Sequence, residues 1–465
     1  MKYSHVVEGL LIAGAEVEAC LDCKTPLIIS AEGGDLATSK VLLENGAVIE
    51  AQDRDKRTAL HLAAVNGHNL VTGLLLLRGA DKEAKDKKEQ TALHLAATNG
   101  HNPVASLLID RGADKEAKDQ EEKTALHLAA ANGHDLVTGL LLDRGTDKGA
   151  RDKKGQTALH LAAANGHNPI ARLLIDQGAD KEAKDREEKT ALHLATANGH
   201  NPVTVLLLDQ GADKEAKDNK EQTALHLAAA NGHNLVTGLL LDRGADKEAK
   251  DKKEQTALHR AAASGHNPIA KMLTDQGAEK EAKDQEEKTA LHLAAANGHD
   301  LVAELLIDQG GNKEAKDQEG QTALHLAAAN GHNPIIRLLI ERGAIKEARD
   351  GLEWRTLYRA TWSGHEATVQ VLVQTFGADK EERDTFGWTL LHVSIINGHH
   401  ATSQWLVEHL GVDIGAKDDN GWTALHFAAA LGLKDTVLLL LEHLLDVDRN
   451  SRNRDGKTAL DLARE

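Results

Sequence analysis

The sequence repeats itself, and that fact limits the fold more than any other. Residues 91–123, TALHLAATNGHNPVASLLIDRGADKEAKDQEEK, restart at Thr124, Thr157, Thr190, Thr223, Thr256, Thr289 and Thr322, and the same pattern opens at Thr25 and Thr58 upstream. Downstream the copies loosen, with Leu357, Leu391, Leu425 and Leu460 marking the motif leucine at intervals of 34 or 35 residues. A fixed period in this range predicts an array in which each unit is one supersecondary element, buried only against its neighbours. A chain of 465 residues would otherwise suggest several globular domains. Stacking predicts one elongated, curved domain instead, on the order of 130 Å long at roughly 10 Å per helical layer.

Each part of the unit has a physical reason. Thr91 is a good N-cap, and Leu93, Ala96 and Ala97 place a small apolar face on a short helix that Gly100 ends in a left-handed conformation. After the turn, Asn102 is expected to cap a second helix, with Pro103 at its first position, where the missing N–H costs nothing. Val104, Leu107 and Leu108 supply its buried stripe, and Gly112 stops it. Residues 113–123 are charged and carry no apolar run, which predicts a solvated, extended turn projecting from the helix pair.

The succession Thr-Ala-Leu-His, Ala-Ala, Asn-Gly-His, Leu-Leu and Gly-Ala-Asp resembles the ankyrin repeat over essentially the whole chain, in thirteen recognisable units with half a unit at each end. The resemblance implies an all-α ankyrin-repeat solenoid of stacked helix-turn-helix units with protruding hairpin-like loops. Helical-pair repeats of about 34 residues lack the Gly-Ala-Asp loop and fit less well. The near-identical units, tryptophan-bearing loops and acidic balance are most like the long arrays of filamentous fungi. On this reading residues 1–24 are an incomplete N-terminal repeat, 25–345 a regular array, 346–457 divergent aromatic-rich repeats, and 458–465 an incomplete C-terminal repeat.

The array departs from the family pattern in two ways. The glycine usual two residues before the motif threonine is present at Gly155, Gly320, Gly387, Gly421 and Gly456, but is Glu89, Glu122, Glu188, Glu221, Glu254 or Glu287 elsewhere. If those glutamates hold a left-handed backbone, each costs about 1–2 kcal/mol. The small apolar residue usual after Gly-Ala-Asp is lysine at Lys82, Lys115, Lys181, Lys214 and Lys247, whereas Ile49 and Ile414 keep it near the ends. A lysine stem can cover apolar surface while its ammonium reaches water.

Composition removes several function classes. Aromatics are 2% of residues, which suits thin layers of Leu, Ala, Ile and Val better than a thick globular core. No segment approaches the roughly 20 uninterrupted apolar residues a membrane helix needs, so no membrane insertion is expected. Residues 1–20 carry Glu8, Glu16 and Glu18, and Val7, Leu10 and Leu11 align with a second repeat helix, so they read as repeat and not as a signal peptide. Two cysteines suit a reducing compartment, the cytoplasm or the nucleus. A net charge of −17 argues against nucleic acid as partner.

Catalytic and metal chemistry find no support. Of 26 histidines, 22 occupy two motif slots, such as His94 and His101, where the resemblance implies that they hold the turn and the helix start. Cys20 and Cys23 form a single Cys-x-x-Cys pair with neither a second pair nor a redox-fold pattern, so no cofactor or metal is expected. No Gly-x-Ser-x-Gly, phosphate-binding loop or His-Glu-x-x-His occurs, which argues against an enzyme. The repeated Asp-Lys-Glu-Ala-Lys-Asp loops read as a soluble edge, or as a ladder of weak charge contacts to a long partner.

The sharpest candidate site is aromatic. Nine of the ten aromatic residues lie between Trp354 and Phe427, with Tyr3 the exception. Trp354, Trp388 and Trp422 occupy one loop slot in three successive units, so stacking should align them one layer apart. Leu352 and Phe386 occupy an adjacent loop slot, and Trp362 falls on the first-helix position that faces the concave groove in family members. Those slots are where ankyrin proteins usually bind partners, and buried tryptophans often carry interface energy. The competing reading is that a tryptophan in this slot packs against the neighbouring loop. Trp405 aligns with Leu107 and Phe427 with Leu95, which makes both core, and Tyr358 replaces a motif histidine as framework.

Together these features predict a non-catalytic scaffold or adaptor that holds protein partners through its groove and loops, with the aromatic units the more discriminating part. The alternative is the ligand-sensing or regulatory region of a larger, signalling or immune-receptor-like protein, motivated by the half units at both termini. The same half units are where end-to-end self-association would occur.

Overall fold

The computed structural model describes residues 4–21, 23–444 and 449–464; Tyr3 and Glu465 lie outside them. These residues are helical, apart from turns and three isolated antiparallel bridges, Leu21–Lys24, Arg383–Thr389 and Lys417–Thr423. They fall into two compact units, residues 1–228 with 235–245, and residues 229–234 with 246–465. Within each, every repeat is a pair of short helices, and first helices pack against the first helices of adjacent repeats.

The repeat at Thr91 shows how sequence fixes the geometry. Its first helix, Ala92–Thr98, starts at Thr91 in extended conformation, φ −88° and ψ 170°. The Thr91 backbone N–H donates to His94 Nδ1 at 3.1 Å, and the Thr91 hydroxyl lies 2.9 Å from the same nitrogen. An Nδ1 that accepts leaves the proton on Nε2, which reaches the Lys123 carbonyl at 3.0 Å, at the end of the following loop. His94 is therefore neutral, and burial pushes its pKa below the ordinary value. The second motif histidine works in the opposite direction, His101 Nε2 donating to the Val65 carbonyl of the preceding repeat at 3.0 Å. One histidine thus ties each repeat forward and the other ties it back.

Gly100 is required twice over. Its φ of +73° disfavours any side chain, and a Cβ there would lie 2.5 Å from His134 Nδ1 of the next repeat. The second helix runs Asn102–Asp110, and its N-cap is His101, one residue earlier than the expected Asn102. Asn102 enters the helix with its Oδ1 buried and without a partner, while Pro103 sits one position further in, where the N–H is still dispensable.

The charged loop is more structured than a solvated turn. Asp119 is buried, and its Oδ1 accepts the backbone N–H groups of Glu121 and Lys123, each at 2.9 Å. Glu83 Oε1 accepts the Asp114 N–H one repeat on, at 2.9 Å, and Gln120 N–H donates to the Lys88 carbonyl at 2.9 Å. Successive loops are therefore laced by one side-chain tie and one backbone rung. The glutamates in the glycine slot do adopt the left-handed region, with φ between 57° and 59°. The lysine after Gly-Ala-Asp also differs from expectation: Lys115 Nζ donates to the Arg144 carbonyl at the end of the next repeat's second helix. A cation there meets carbonyls with no partner inside the helix and the negative end of its dipole.

Where the period lengthens to 34 residues, the extra residue is taken up in the second helix. Glu366–Gln370 continues as a π-turn, Val371–Thr375, and His400–Trp405 continues as Leu406–Leu410. A one-residue insertion absorbed as a π-bulge leaves both helix ends in register. At the N-terminal side, helix Ser4–Ile12 leaves Val6, Leu10 and Ile12 exposed. Among the described residues, no helix is long and apolar enough to cross a membrane.

Candidate functional site

The divergent repeats assemble their aromatic residues into two clusters. The first is built on Thr356–Trp362, the first helix of its repeat. Trp354, just before that helix, packs its ring 4.8 Å from Tyr358 and 4.7 Å from Trp362, centroid to centroid. The Arg359 guanidinium sits 4.7 Å above the Trp354 ring while its Nε donates to Asp350 at 2.6 Å. Only 8% of Trp354 is exposed, so the structure places it in the layer's interior, as the packing reading required. Tyr358 is fully buried, and its hydroxyl donates to Asp384 at 2.7 Å, doing for this repeat what the histidine Nε2 does elsewhere. Burial and the neighbouring Asp384 carboxylate raise its pKa, so it stays a phenol.

The second cluster gathers around Phe427. Its ring lies 4.8 Å from Trp422, 5.9 Å edge-on from Trp388 and 5.7 Å from His392. Phe427 is half-buried, more open than the core position its alignment with Leu95 predicts. Trp388 is half-buried, stacks against Phe386 at 5.4 Å, and donates Nε1–H to Asp418 at 3.1 Å. Among the described residues no ring contact joins this cluster to the first, so the three loop tryptophans are split between them. Trp405 is buried in its second helix, as expected.

Leu352 and Phe386 stand apart from both clusters in exposure, at 54% and 58%. They occupy the loop tip that is Lys88, Glu121, Lys154, Glu187, Lys220 or Glu319 in other repeats. At Phe386 the backbone carbonyl accepts the Asp419 N–H at 3.1 Å, the same rung as in the regular loops. Leu352 and Arg359 also line a groove of about 1180 Å³ that runs beside Glu281, Lys283, Glu287 and Glu314. A smaller apolar cleft of about 400 Å³ lies between Leu425, Val437, Leu438, Leu441 and Leu460. Exposed apolar side chains at tips, backed by rigid rings and flanked by a charged groove, can recognise a surface but supply no nucleophile or acid–base pair.

Cys20 and Cys23 are exposed free thiols, and Cys23 takes a left-handed φ of 61° in the usual glycine slot. The signal that sequence reasoning missed lies beside the aromatic layer: Arg355 replaces the capping threonine, and Glu382 replaces the alanine found at the corresponding loop position in Ala117 or Ala315. Both departures are visible once the repeats are aligned.

Helix pairs stacked by paired histidines and laced loops define a repeat-built helical fold. The profile of a family described as ankyrin repeats (3 copies) matches residues 2–86, 69–152, 135–218, 202–284, 276–350 and 357–453. The chain belongs to the ankyrin-repeat family. Ankyrin repeats are generally protein–protein interaction modules and are typically non-catalytic. A search of curated proteins returned no match.

Proposed function

We propose that the chain is a non-catalytic scaffold whose aromatic repeats, residues 346–457, hold a protein partner, while the near-identical central repeats supply length and stiffness. The observation that carries this reading is the replacement of charged loop tips by Leu352 and Phe386 at solvent-exposed positions. Apolar tips cost solubility without adding to the core, and they sit where Trp388 and Trp362 can widen the contact. The buried Trp354 supports the surface from beneath and does not itself make contact. A reducing compartment, cytoplasm or nucleus, fits the two free cysteines.

The test is affinity capture with the whole chain, a Leu352→Lys/Phe386→Lys variant, and a Lys154→Glu/Lys220→Glu control that alters tips in the regular array. Both tips are exposed, so all three proteins should melt together. Loss of a captured partner by about tenfold or more in the first variant alone is expected, equivalent to about 1.4 kcal/mol. Equal capture by all three would place the contact elsewhere.

A further inference from the structure

The layer that begins at Arg355 lacks three ties that most of the regular repeats have. Elsewhere a loop glutamate accepts the N–H of the next loop, as Glu281 does for Asn312 at 2.8 Å and Glu314 for Ile345 at 2.8 Å. Glu347, the next in that series, instead pairs with Arg355 Nη1 at 3.3 Å. Elsewhere a backbone rung joins successive tips, as from Gly351 to Glu319 at 2.8 Å and Asp419 to Phe386 at 3.1 Å. Among the described residues no such rung joins Leu352 to Thr385. Finally, the threonine–histidine cap is replaced by Arg355 and Tyr358.

Beside the Tyr358–Asp384 and Lys346–Phe376 bonds that hold this layer to the next stands one buried acid. Glu382, 5% exposed, fills an alanine slot and lies 3.7 Å from Arg355 Nε. That Nε is itself buried and without a hydrogen-bond partner. The groups facing Glu382 are Glu347 and Arg349 from the preceding loop, Arg355 and Tyr358 from its own repeat, and Asp379 from its own loop, 3.8 Å from Arg355. One guanidinium thus serves three carboxylates, in a place where water reaches only two of them freely.

We propose that this layer is a proton-responsive joint: protonated Glu382 seats loop 377–388 against loop 344–354, and ionised Glu382 loosens that seat. A neutral carboxyl removes the third negative charge from beside Glu347 and Asp379 and avoids desolvating a carboxylate. Burial, the largest cause, together with Glu347, pushes its pKa up to about 7, from an ordinary 4.5. The folded layer therefore holds a proton that the unfolded chain has released, so its stability is full at acid pH and declines as pH rises through about 7. The joint connects the two loops that carry Leu352 and Phe386, so pH would tune partner affinity; only that consequence rests on the proposed function.

Hydrogen exchange followed by mass spectrometry on the full chain tests it without a partner. Opening of peptides from 344–362 and 376–389, corrected for intrinsic exchange, should rise roughly tenfold between pH 6 and pH 8. Glu382→Gln should abolish that rise and stay protected at both values. Arg355→Thr/Glu382→Ala, which restores the regular repeat, should also be flat and protected, and decides the matter if Glu382→Gln fails to fold. Peptides from 91–123 serve as an internal reference. A wild-type profile flat across this range, or a Glu382→Gln profile that keeps the rise, would overturn the proposal.

Discussion

At the scale of single residues, the array carries unmet hydrogen-bonding groups and strained turns that its own variants show how to relieve. Oδ1 of Asn102, Asn168 and Asn267 is buried without a partner, yet the equivalent Asn333 Oδ1 accepts Thr368 Oγ1 at 2.8 Å. The slot of Thr368 is Val137 opposite Asn102. Val137→Thr should therefore raise stability by about 0.5–1 kcal/mol, since an unmade buried bond costs about 1–3 kcal/mol. Val71→Thr, which faces no such asparagine, should lower it, and thermal melts of both variants decide. Glu122, at φ 58° and paired with Lys118 at 3.2 Å on the surface, offers a second case. A surface pair contributes less than about 1 kcal/mol, whereas left-handed strain costs about 1–2 kcal/mol. Glu122→Gly should then stabilise by about 0.5 kcal/mol, measured by urea denaturation. Trp354→Ala, by contrast, should cost about 3–5 kcal/mol, because it empties a buried, ring-packed site.

At the scale of elements, most repeats are capped by a buried, neutral histidine, and that makes the array acid-sensitive. Burial is the largest cause of the lowered pKa at His61, His94, His127, His160, His193 and His259, and at His392 it reaches about 4. As pH falls below the unfolded value of about 6.5, the unfolded chain takes up protons that the folded caps refuse. Stability is thus full above about pH 6.5 and is lost toward pH 4. Circular dichroism melts should show the midpoint falling steadily over that window, opposite in sign to the local response at Glu382; a midpoint unchanged from pH 7 to pH 4.5 would contradict the tautomer assigned to the caps. Much of this element was legible: Thr91, His94, Gly100 and Gly112 announce both helices because capping and left-handed stops depend on local chemistry. The identity of the second cap was not, since His101 and Asn102 are both competent and only the tie to Val65 of the preceding repeat chooses between them. Nor was the function of Lys115, whose target is a helix end in the next repeat, or the π-turn at Val371–Thr375, which a change of period signals without locating.

At the scale of the whole molecule, near-identical repeats give many equivalent surfaces and little means of telling partners apart, so discrimination must come from where the repeats differ. The aromatic composition of residues 346–457 pointed there, but sequence slots alone could not separate rings that pack from rings that face out. Trp354 and Trp388 share a slot, yet the first is covered by Trp362 and Arg359, and the second shares its face with Phe386. Exposure singles out Leu352 and Phe386 as the tips available for contact. The most direct measurement is carbene footprinting of the full chain, free and in complex with a captured partner. The account predicts lost labelling at Leu352, Phe386 and Trp388, with the tips at Lys154 and Lys220 unchanged. Protection confined to the regular repeats, with Leu352 and Phe386 labelled as in the free chain, would contradict it.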